Sequence, residues 1–166
     1  MNATMTPARP KRSDDSIISA AAKRLAIEVK QWLNDESTLE EIEADLVKAI
    51  KYDSDGYDIA RRLDGQYSPD AALVEILDNA GHYKSSAQTK AETEWVNANN
   101  ITPPAIGSKV SYKQHGYDGK TISGEVTENH KDGKSTIFCA SLGHVKSGIG
   151  THGHIVEWER LTPEVA

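Results

Sequence analysis

The 166-residue sequence has one cysteine, one phenylalanine and three tryptophans. Because Cys139 stands alone, no disulfide can form within the chain, and a four-cysteine zinc site is excluded. No apolar run approaches the length of about 20 residues that a membrane-spanning helix needs. The stretch MNATMTPARPKRSDD is basic but has no apolar segment after it, so it does not fit a secretory signal. These absences favour a cytoplasmic protein.

Charge is distributed unevenly along the chain, whose formal net charge is −6. Residues 1–13 carry a net charge of +3. Residues 14–100 carry nine basic and eighteen acidic side chains, a net of −9, whereas residues 101–166 carry seven of each. An acidic surface repels phosphate backbones, which disfavours nucleic acid as a partner of the middle region.

Acidic side chains are densest between Asp35 and Asp58, where nine acids accompany only Lys48 and Lys51. One interpretation is a solvated helical face. The other is an acidic patch that docks on a basic protein partner. For that second interpretation the candidate binding residues are Asp35, Glu36, Glu40, Glu41 and Glu43.

Apolar residues recur at helical spacing through residues 14–99, which predicts four or five helices in a compact acidic bundle. The basic, proline-containing residues 1–13 are predicted to be a disordered tail. Ser37 with Glu40 fits the capping-box pattern at a helix start. Asp55 is better explained as a helix N-cap than as a calcium ligand, since the glycine of an EF-hand loop would come later.

Two further signals place helix boundaries in the second half of the bundle. Ser68 followed by Pro69 predicts a helix start, with the proline at the first helical position. Gly81 is predicted to be a C-cap. The two prolines of residues 100–106 cannot continue a helix, so this segment is predicted to be a linker.

After the linker the pattern changes to strands, which are rich in β-branched and aromatic residues: SKVSYK, KTISGEVT, STIFCAS and HIVEWERL. Residues 107–163 are predicted to form a small antiparallel SH3-like β-barrel, which makes the fold class α+β. A tight turn at Asp132-Gly133 would place Val126 opposite Cys139.

Histidines and glycines concentrate between Gly143 and Gly153. Residues 148–153 match the dinucleotide pattern G-x-G-x-x-G, but a strand pattern follows where a helix is required, so the match is interpreted as accidental. The glycines predict a mobile loop. A zinc or other transition-metal site is one hypothesis for this region, against the alternative of histidines that bond to loop backbone. The candidate ligands are Cys139, His144, His152 and His154.

The predicted barrel also combines aromatic and basic side chains that could bind a peptide, nucleic acid or nucleotide. The candidate binding residues are Tyr112, Tyr117, Lys120, Lys146 and Thr151. The alternative is that Tyr112 and Trp158 belong to the barrel core. No catalytic motif of the G-x-S-x-G or H-E-x-x-H kind occurs, and no catalytic residue is predicted.

The run DGYDIARRLDGQYSPDAALVEILDNA, followed by WVNANNITPPAIGSKV, resembles uncharacterised small proteins of phages and mobile elements, in which a helical part precedes a small β part. The resemblance covers roughly half of the chain and carries over no functional residue. It implies a phage-encoded protein that acts in the host cytoplasm by binding and inhibiting a host factor, such as a defence factor.

Together these observations predict a non-enzymatic binding protein that acts by protein–protein contact and needs no cofactor. One alternative is a small-ligand, nucleotide or metal-binding module that uses the His/Gly-rich loop. The other is a nucleic-acid-associated accessory protein that uses the lysine and aromatic face of the barrel. No membrane partner is expected.

Overall fold

A computed structural model describes the following residues: 7–33, 36–114, 119–131, 138–143, 146–147, 150–151 and 154–164. The chain divides into two compact units, residues 1–95 and residues 96–166. The first is helical and the second contains a β-sheet, so the predicted α+β class is confirmed. None of the described helices is long and apolar enough to cross a membrane.

Five α-helices are present in the described residues: α1 (Asp15–Trp32), α2 (Leu39–Ala49), α3 (Gly56–Leu63), α4 (Ala71–Leu77) and α5 (Ala80–Ala98). Each of the first four turns an apolar stripe inward, as the helical spacing predicts. The stripes supply the largest fully buried side chains of the helical unit: Ile18, Leu25, Val29, Ile42, Leu46, Ile50, Ile59, Leu63, Leu73 and Leu77.

The capping box of α2 lies one residue later than predicted. The amide of Glu41 donates to the Thr38 hydroxyl at 3.2 Å, and the Glu41 carboxylate accepts from the Thr38 amide at 2.8 Å. Ser37 with Glu40 has the same spacing as Thr38 with Glu41. Both pairs satisfy the pattern, so the sequence alone could not separate them.

The start of α3 is as predicted, because the Asp55 carboxylate accepts from the amide of Asp58 at 2.8 Å. The start of α4 differs from the prediction. Asp70, and not Ser68, is its N-cap, and accepts from the amide of Leu73 at 2.9 Å. Aspartate caps a helix at least as well as serine does, and here it directly precedes the apolar run.

Gly81 is the second residue of α5 and not a C-cap. The described part of the predicted tail, residues 7–13, contacts this same helix. Arg12 Nη2 donates to the Gly81 carbonyl at 3.0 Å, and Trp95 Nε1 donates to the Pro7 carbonyl at 3.1 Å. Residues 7–13 therefore have specific contacts with the bundle, where a disordered tail was expected.

The described residues of the second unit form seven strands: β1 (Lys109–Lys113), β2 (Thr121–His130), β3 (Cys139–Gly143), β4 (Lys146–Ser147), β5 (Gly150–Thr151), β6 (His154–Glu157) and β7 (Thr162–Pro163). Five form an antiparallel sheet in the order β6-β3-β2-β1-β7, and β4 pairs with β5. The short strands β4 and β5 fall inside the predicted loop of residues 143–153.

The predicted closed barrel is wrong, because the sheet is open, with β6 and β7 at its edges in the described residues. The last predicted strand, residues 154–161, ends at Glu157, and a short 3-10 helix follows from Trp158 to Arg160. The two edge strands, β6 with four residues and β7 with two, are not paired with each other.

The register of β2 with β3 also differs from the prediction. Val126 pairs with Leu142, and His130, instead of Val126, pairs with Cys139. The pairing shifts between Val126 and Glu128, which marks a bulge, and the connection from β2 to β3 spans residues 131–138. The predicted turn at Asp132-Gly133 itself lies outside the described residues, and the pairing of Val126 with Cys139 that it would set is not the one observed.

One face of the sheet carries the core of the second unit: Val110, Tyr112, Val126, Ala140, Leu142, Val156 and Trp158. Trp158 is only 5 % exposed, and its ring meets that of Phe138 edge-on with centroids 5.5 Å apart. The prediction that Trp158 is a core residue is confirmed.

Candidate binding site

The predicted acidic patch of α2 is only partly available for contact. Glu41 closes the capping box, and Glu43 accepts a hydrogen bond from a serine of α1 at 3.3 Å. Glu36 and Glu40 are exposed, and neither forms an ion pair with a described residue. Asp35 lies outside the described residues.

The register of β3 with β6 separates two of the candidate metal ligands. Leu142 pairs with His154, and Cys139 pairs with Glu157. Since successive side chains alternate between faces, His154 lies on the core face, while the buried Cys139 lies on the other. Two further candidates fall outside the described residues, His144 and His152. Within the described part of the chain, no three His, Cys, Asp or Glu residues come together as a metal site.

His154 instead shares a hydrogen bond with Tyr112, between its Nδ1 and the phenol. Tyr112 is 7 % exposed, and the Arg160 guanidinium lies 5.8 Å from its ring centroid. Burial raises the pKa of the Tyr112 phenol, and the positive charge of Arg160 opposes that shift. These contacts favour the interpretation of Tyr112 as a core residue.

The other candidate binding residues of the second unit are only partly described. Lys120 is exposed just before β2. Lys146 and Thr151 are paired across β4 and β5, but their side chains lie outside the description, as does Tyr117. Because three of the five candidate side chains lie outside the described residues, the predicted lysine and aromatic face stays a prediction.

The helical unit holds a groove between α3 and α4, and a close approach of these helices shapes it. The amide of Gly56, the first residue of α3, donates to the Asp78 carboxylate at 2.6 Å, just beyond the end of α4. A Cβ on Gly56 would lie 2.7 Å from Asp78 Oδ1 and closer still to the Val74 carbonyl. Glycine is therefore the residue that lets α3 begin directly against α4.

The groove has a volume of about 650 Å³, in the range of pockets that bind ligands or side chains. Its apolar lining comes from Ala60, Pro69, Ala71 and Val74. Tyr57 stands beside these residues with 64 % of its surface exposed. An exposed aromatic ring next to small apolar side chains is an arrangement that protein partners use as a contact.

Charged residues also line this groove: Arg61, Asp64, Asp70 and Glu75. Three acids against one arginine give the lining a formal charge of −2. The Asp70 carboxylate is held by the amide of Leu73 and by Trp32 Nε1 at 3.2 Å. Asp64 and Glu75 make no hydrogen bond or ion pair with the residues that the structure describes. The groove is thus apolar with an acidic rim.

Sequence reasoning missed this groove because it assigned no binding role to Tyr57 or to the residues around it. In α3 the buried residues are Gly56, Ile59, Ala60 and Leu63. Tyr57, Arg61 and Asp64 follow one another at i, i+4 and i+7, and all three are exposed. That spacing is visible in the sequence and could have shown Tyr57 on the outer face.

No protein family model, curated protein or solved structure matches this chain. The resemblance to phage and mobile-element proteins therefore stays a prediction. Residue roles have to come from the contacts of the molecule itself, and among the described residues the α3–α4 groove best combines volume, apolar surface and charge.

Proposed function

We propose that the protein is a non-enzymatic binding protein whose α3–α4 groove holds an apolar side chain of a basic protein partner. The observation that carries this proposal is the groove itself, with its apolar lining, its exposed Tyr57 and its acidic rim. If the chain has the phage origin that its sequence resembles, such contact would inhibit a host factor by covering part of its surface.

The two kinds of surface in the groove have separate roles in this proposal. Burying a leucine or phenylalanine side chain of the partner against Tyr57 and Val74 would contribute about 1.5–3 kcal/mol. The carboxylates of Asp64 and Glu75, which pair with none of the described residues, would attract lysine or arginine beside that side chain. They would act chiefly on the rate of association and on the choice of partner.

The lining of the groove supports binding more than catalysis. It contains no serine, cysteine, threonine or histidine, so it offers no aliphatic hydroxyl or thiol nucleophile and no imidazole base. Of its three carboxylates, Asp70 is already occupied as the N-cap of α4. An apolar floor with a charged rim is the general composition of a protein contact surface.

Selection from a displayed peptide library tests the proposal. We expect the full-length protein to enrich peptides in which an aromatic or large aliphatic residue is flanked by lysine or arginine. Ala71→Arg places a large, positively charged side chain in the groove, which would exclude the apolar residue and repel its basic neighbours. This variant should abolish binding of the enriched peptides. Tyr57→Ser should weaken their binding by about 1–2 kcal/mol, as for a partly buried aromatic contact.

Tyr52→Ser is the matched control, because Tyr52 is 67 % exposed and does not line the groove. It should leave peptide affinity unchanged. The proposal fails if no such peptides are enriched, or if Ala71→Arg binds them as well as the unaltered protein does.

A pair of charge reversals separates the groove from the acidic face of α2, which is the contact surface that the sequence favoured. Glu75 lies on the groove rim and Glu40 lies on α2. Glu75→Lys and Glu40→Lys change the net charge of the protein by the same amount. Weaker peptide binding in Glu75→Lys alone would support the groove. Weaker binding in Glu40→Lys alone would instead place the contact on α2.

We also propose that the second unit has an SH3-like arrangement of strands, although its sheet is open. The support is the strand order, in which β1, β2, β3 and β6 follow one another and β7 returns to pair with β1 after a short 3-10 helix. An experimental structure of the full chain tests this, and a different partner for β7 would contradict it.

The two alternative functions depend on the second unit and stay predictions. Metal binding would need His144 or His152 to join His154 or Cys139, and elemental analysis of protein purified without chelator or affinity tag tests it. Nucleic-acid binding through Lys120, Lys146 and Tyr117 would appear as affinity that falls steeply with salt.

A further inference from the structure

A polar cluster of the helical unit is separate from the α3–α4 groove and is built around Lys84 of α5. Lys84 is only 3 % exposed. Its Nζ donates to Asp53 Oδ1 at 2.8 Å and to the carbonyl of Ile50 at 3.2 Å. An ammonium group has three N–H donors, so these bonds leave one for a further acceptor.

Arg12 is the second cation of this cluster. Its Nε donates to the same Asp53 Oδ1 at 3.0 Å, and its Nη2 donates to the carbonyl of Gly81. The hydrogen bonds from Lys84 and Arg12 hold the pKa of Asp53 below its ordinary value, so Asp53 carries its charge at neutral pH. Two cations thus share one carboxylate.

The cluster opens into a cleft of about 430 Å³. Lys11 and Lys51 also line this cleft, and neither forms an ion pair with a described residue. Four cationic side chains and one carboxylate give the lining a formal charge of +3, in a chain whose net charge is −6. Buried or clustered charges are normally compensated by an opposite charge nearby, and here an anion would supply it.

One aromatic side chain lines the same cleft. Tyr52 lies between Lys51 and Asp53 in the sequence, and its ring is largely exposed. Nucleotide-binding surfaces use such a ring as a platform for a base, while lysines neutralise the phosphate. The cleft therefore offers both parts of that recognition within one small volume.

We propose that this cleft binds a mononucleotide, with the phosphate held by Lys11, Lys51 and Lys84 and the base stacked on Tyr52. Arg12 is a positioning residue, because its contacts with Asp53 and Gly81 fix the N-terminal segment that brings Lys11 to the cleft. Besides Tyr52, the uncharged side chain in this lining is Ser13, whose hydroxyl can both donate and accept and so selects no single base; purine and pyrimidine nucleotides should both bind.

Isothermal titration of the full-length protein at low salt tests the proposal with four probes: AMP, UMP, adenosine and inorganic phosphate. AMP and UMP should bind, and phosphate and adenosine should each bind at least tenfold more weakly. Lys51→Gln should weaken AMP about tenfold through the lost charge-assisted contact. Tyr52→Ser should weaken AMP about tenfold as well, but should leave the affinity for phosphate unchanged.

Lys90→Gln is the matched charge control, since Lys90 is exposed on α5 outside the cleft, and it should bind AMP normally. The proposal is overturned if AMP does not bind at millimolar concentration, or if Lys51→Gln binds it as well as Lys90→Gln does. Phosphate that binds as tightly as AMP would overturn the role of Tyr52.

The two binding sites can be told apart with one pair of variants. Tyr57→Ser should lose peptide affinity and keep AMP affinity, and Tyr52→Ser should do the reverse. Since no residue lines both the cleft and the groove, failure of one proposal leaves the other standing.

Discussion

Replacing Gly56 with alanine tests the packing that creates the α3–α4 groove. The new Cβ would lie 2.7 Å from Asp78 Oδ1 and 2.8 Å from the Asp78 amide, and closer still to the carbonyl of Val74. Backbone atoms cannot swing aside, so α3 must move away from α4, and overpacking of this kind costs about 1–3 kcal/mol.

That movement would also break the hydrogen bond from the Gly56 amide to the Asp78 carboxylate, which is worth about 1.5–3 kcal/mol. Against both effects stands the helix propensity of alanine, which favours it over glycine by about 1 kcal/mol. We therefore expect Gly56→Ala to destabilise the helical unit by about 2–4 kcal/mol. Its melting temperature should fall by about 10–25 °C.

Thermal and urea unfolding followed by far-ultraviolet circular dichroism measure this change. Gly81→Ala is the matched control in α5, because the nearest atom to its added Cβ is Arg12 Nη2 at 3.5 Å, an ordinary contact. It should be neutral or stabilising by up to about 1 kcal/mol. If Gly56→Ala unfolds within about 0.5 kcal/mol of the unaltered protein, the close approach of α3 to α4 is refuted, and the groove with it.

Three further predictions concern stability. Trp158→Ala should destabilise the second unit by about 3–5 kcal/mol, because it empties a buried aromatic site; a loss below about 1 kcal/mol in urea unfolding would contradict the core assignment. Asp53→Asn should be less stable than the unaltered protein at pH 7. Folding lowers the pKa of Asp53, so its charged carboxylate stabilises the folded state above pH 3.8, and this stabilisation is lost as the pH falls through the pKa of the folded state. In urea unfolding, the difference in stability between Asp53→Asn and the unaltered protein should therefore shrink at acid pH. Thr38→Ala should cost about 1 kcal/mol through loss of the capping box, and an unchanged urea midpoint would argue against that cap.

The helices could be predicted because the sequence pattern that defines a helix lies within the helix itself. Apolar residues spaced along α1 and α2 turn to one face whatever the rest of the chain does, so each stripe identifies its own helix. The exact caps could not be predicted, since Ser37 and Thr38 each have a glutamate three residues later. Only packing of the finished helix decides between such neighbouring candidates.

The sheet was predicted less well because its strand pairing depends on residues that are far apart in the sequence. Cys139 lies opposite His130 and not Val126, and the bulge after Val126 accounts for only part of that difference. No feature of either strand alone requires that bulge. The register of β3 with β6, which is likewise not encoded in one strand, separates Cys139 from His154 and places their side chains on opposite faces.

The net charge of a sequence segment does not show where its charges lie in the folded protein. Summed along the chain, residues 14–100 are strongly acidic and should repel any anion. Folding brings Lys11 and Arg12, from the basic segment before them, beside Lys51 and Lys84 in one cleft. Asp64, Asp70 and Glu75 gather instead at the groove. Because opposite charges lie at different places on one helical unit, the two proposed sites would attract a basic partner and an anionic ligand at the same ionic strength, and we expect added salt to weaken both interactions.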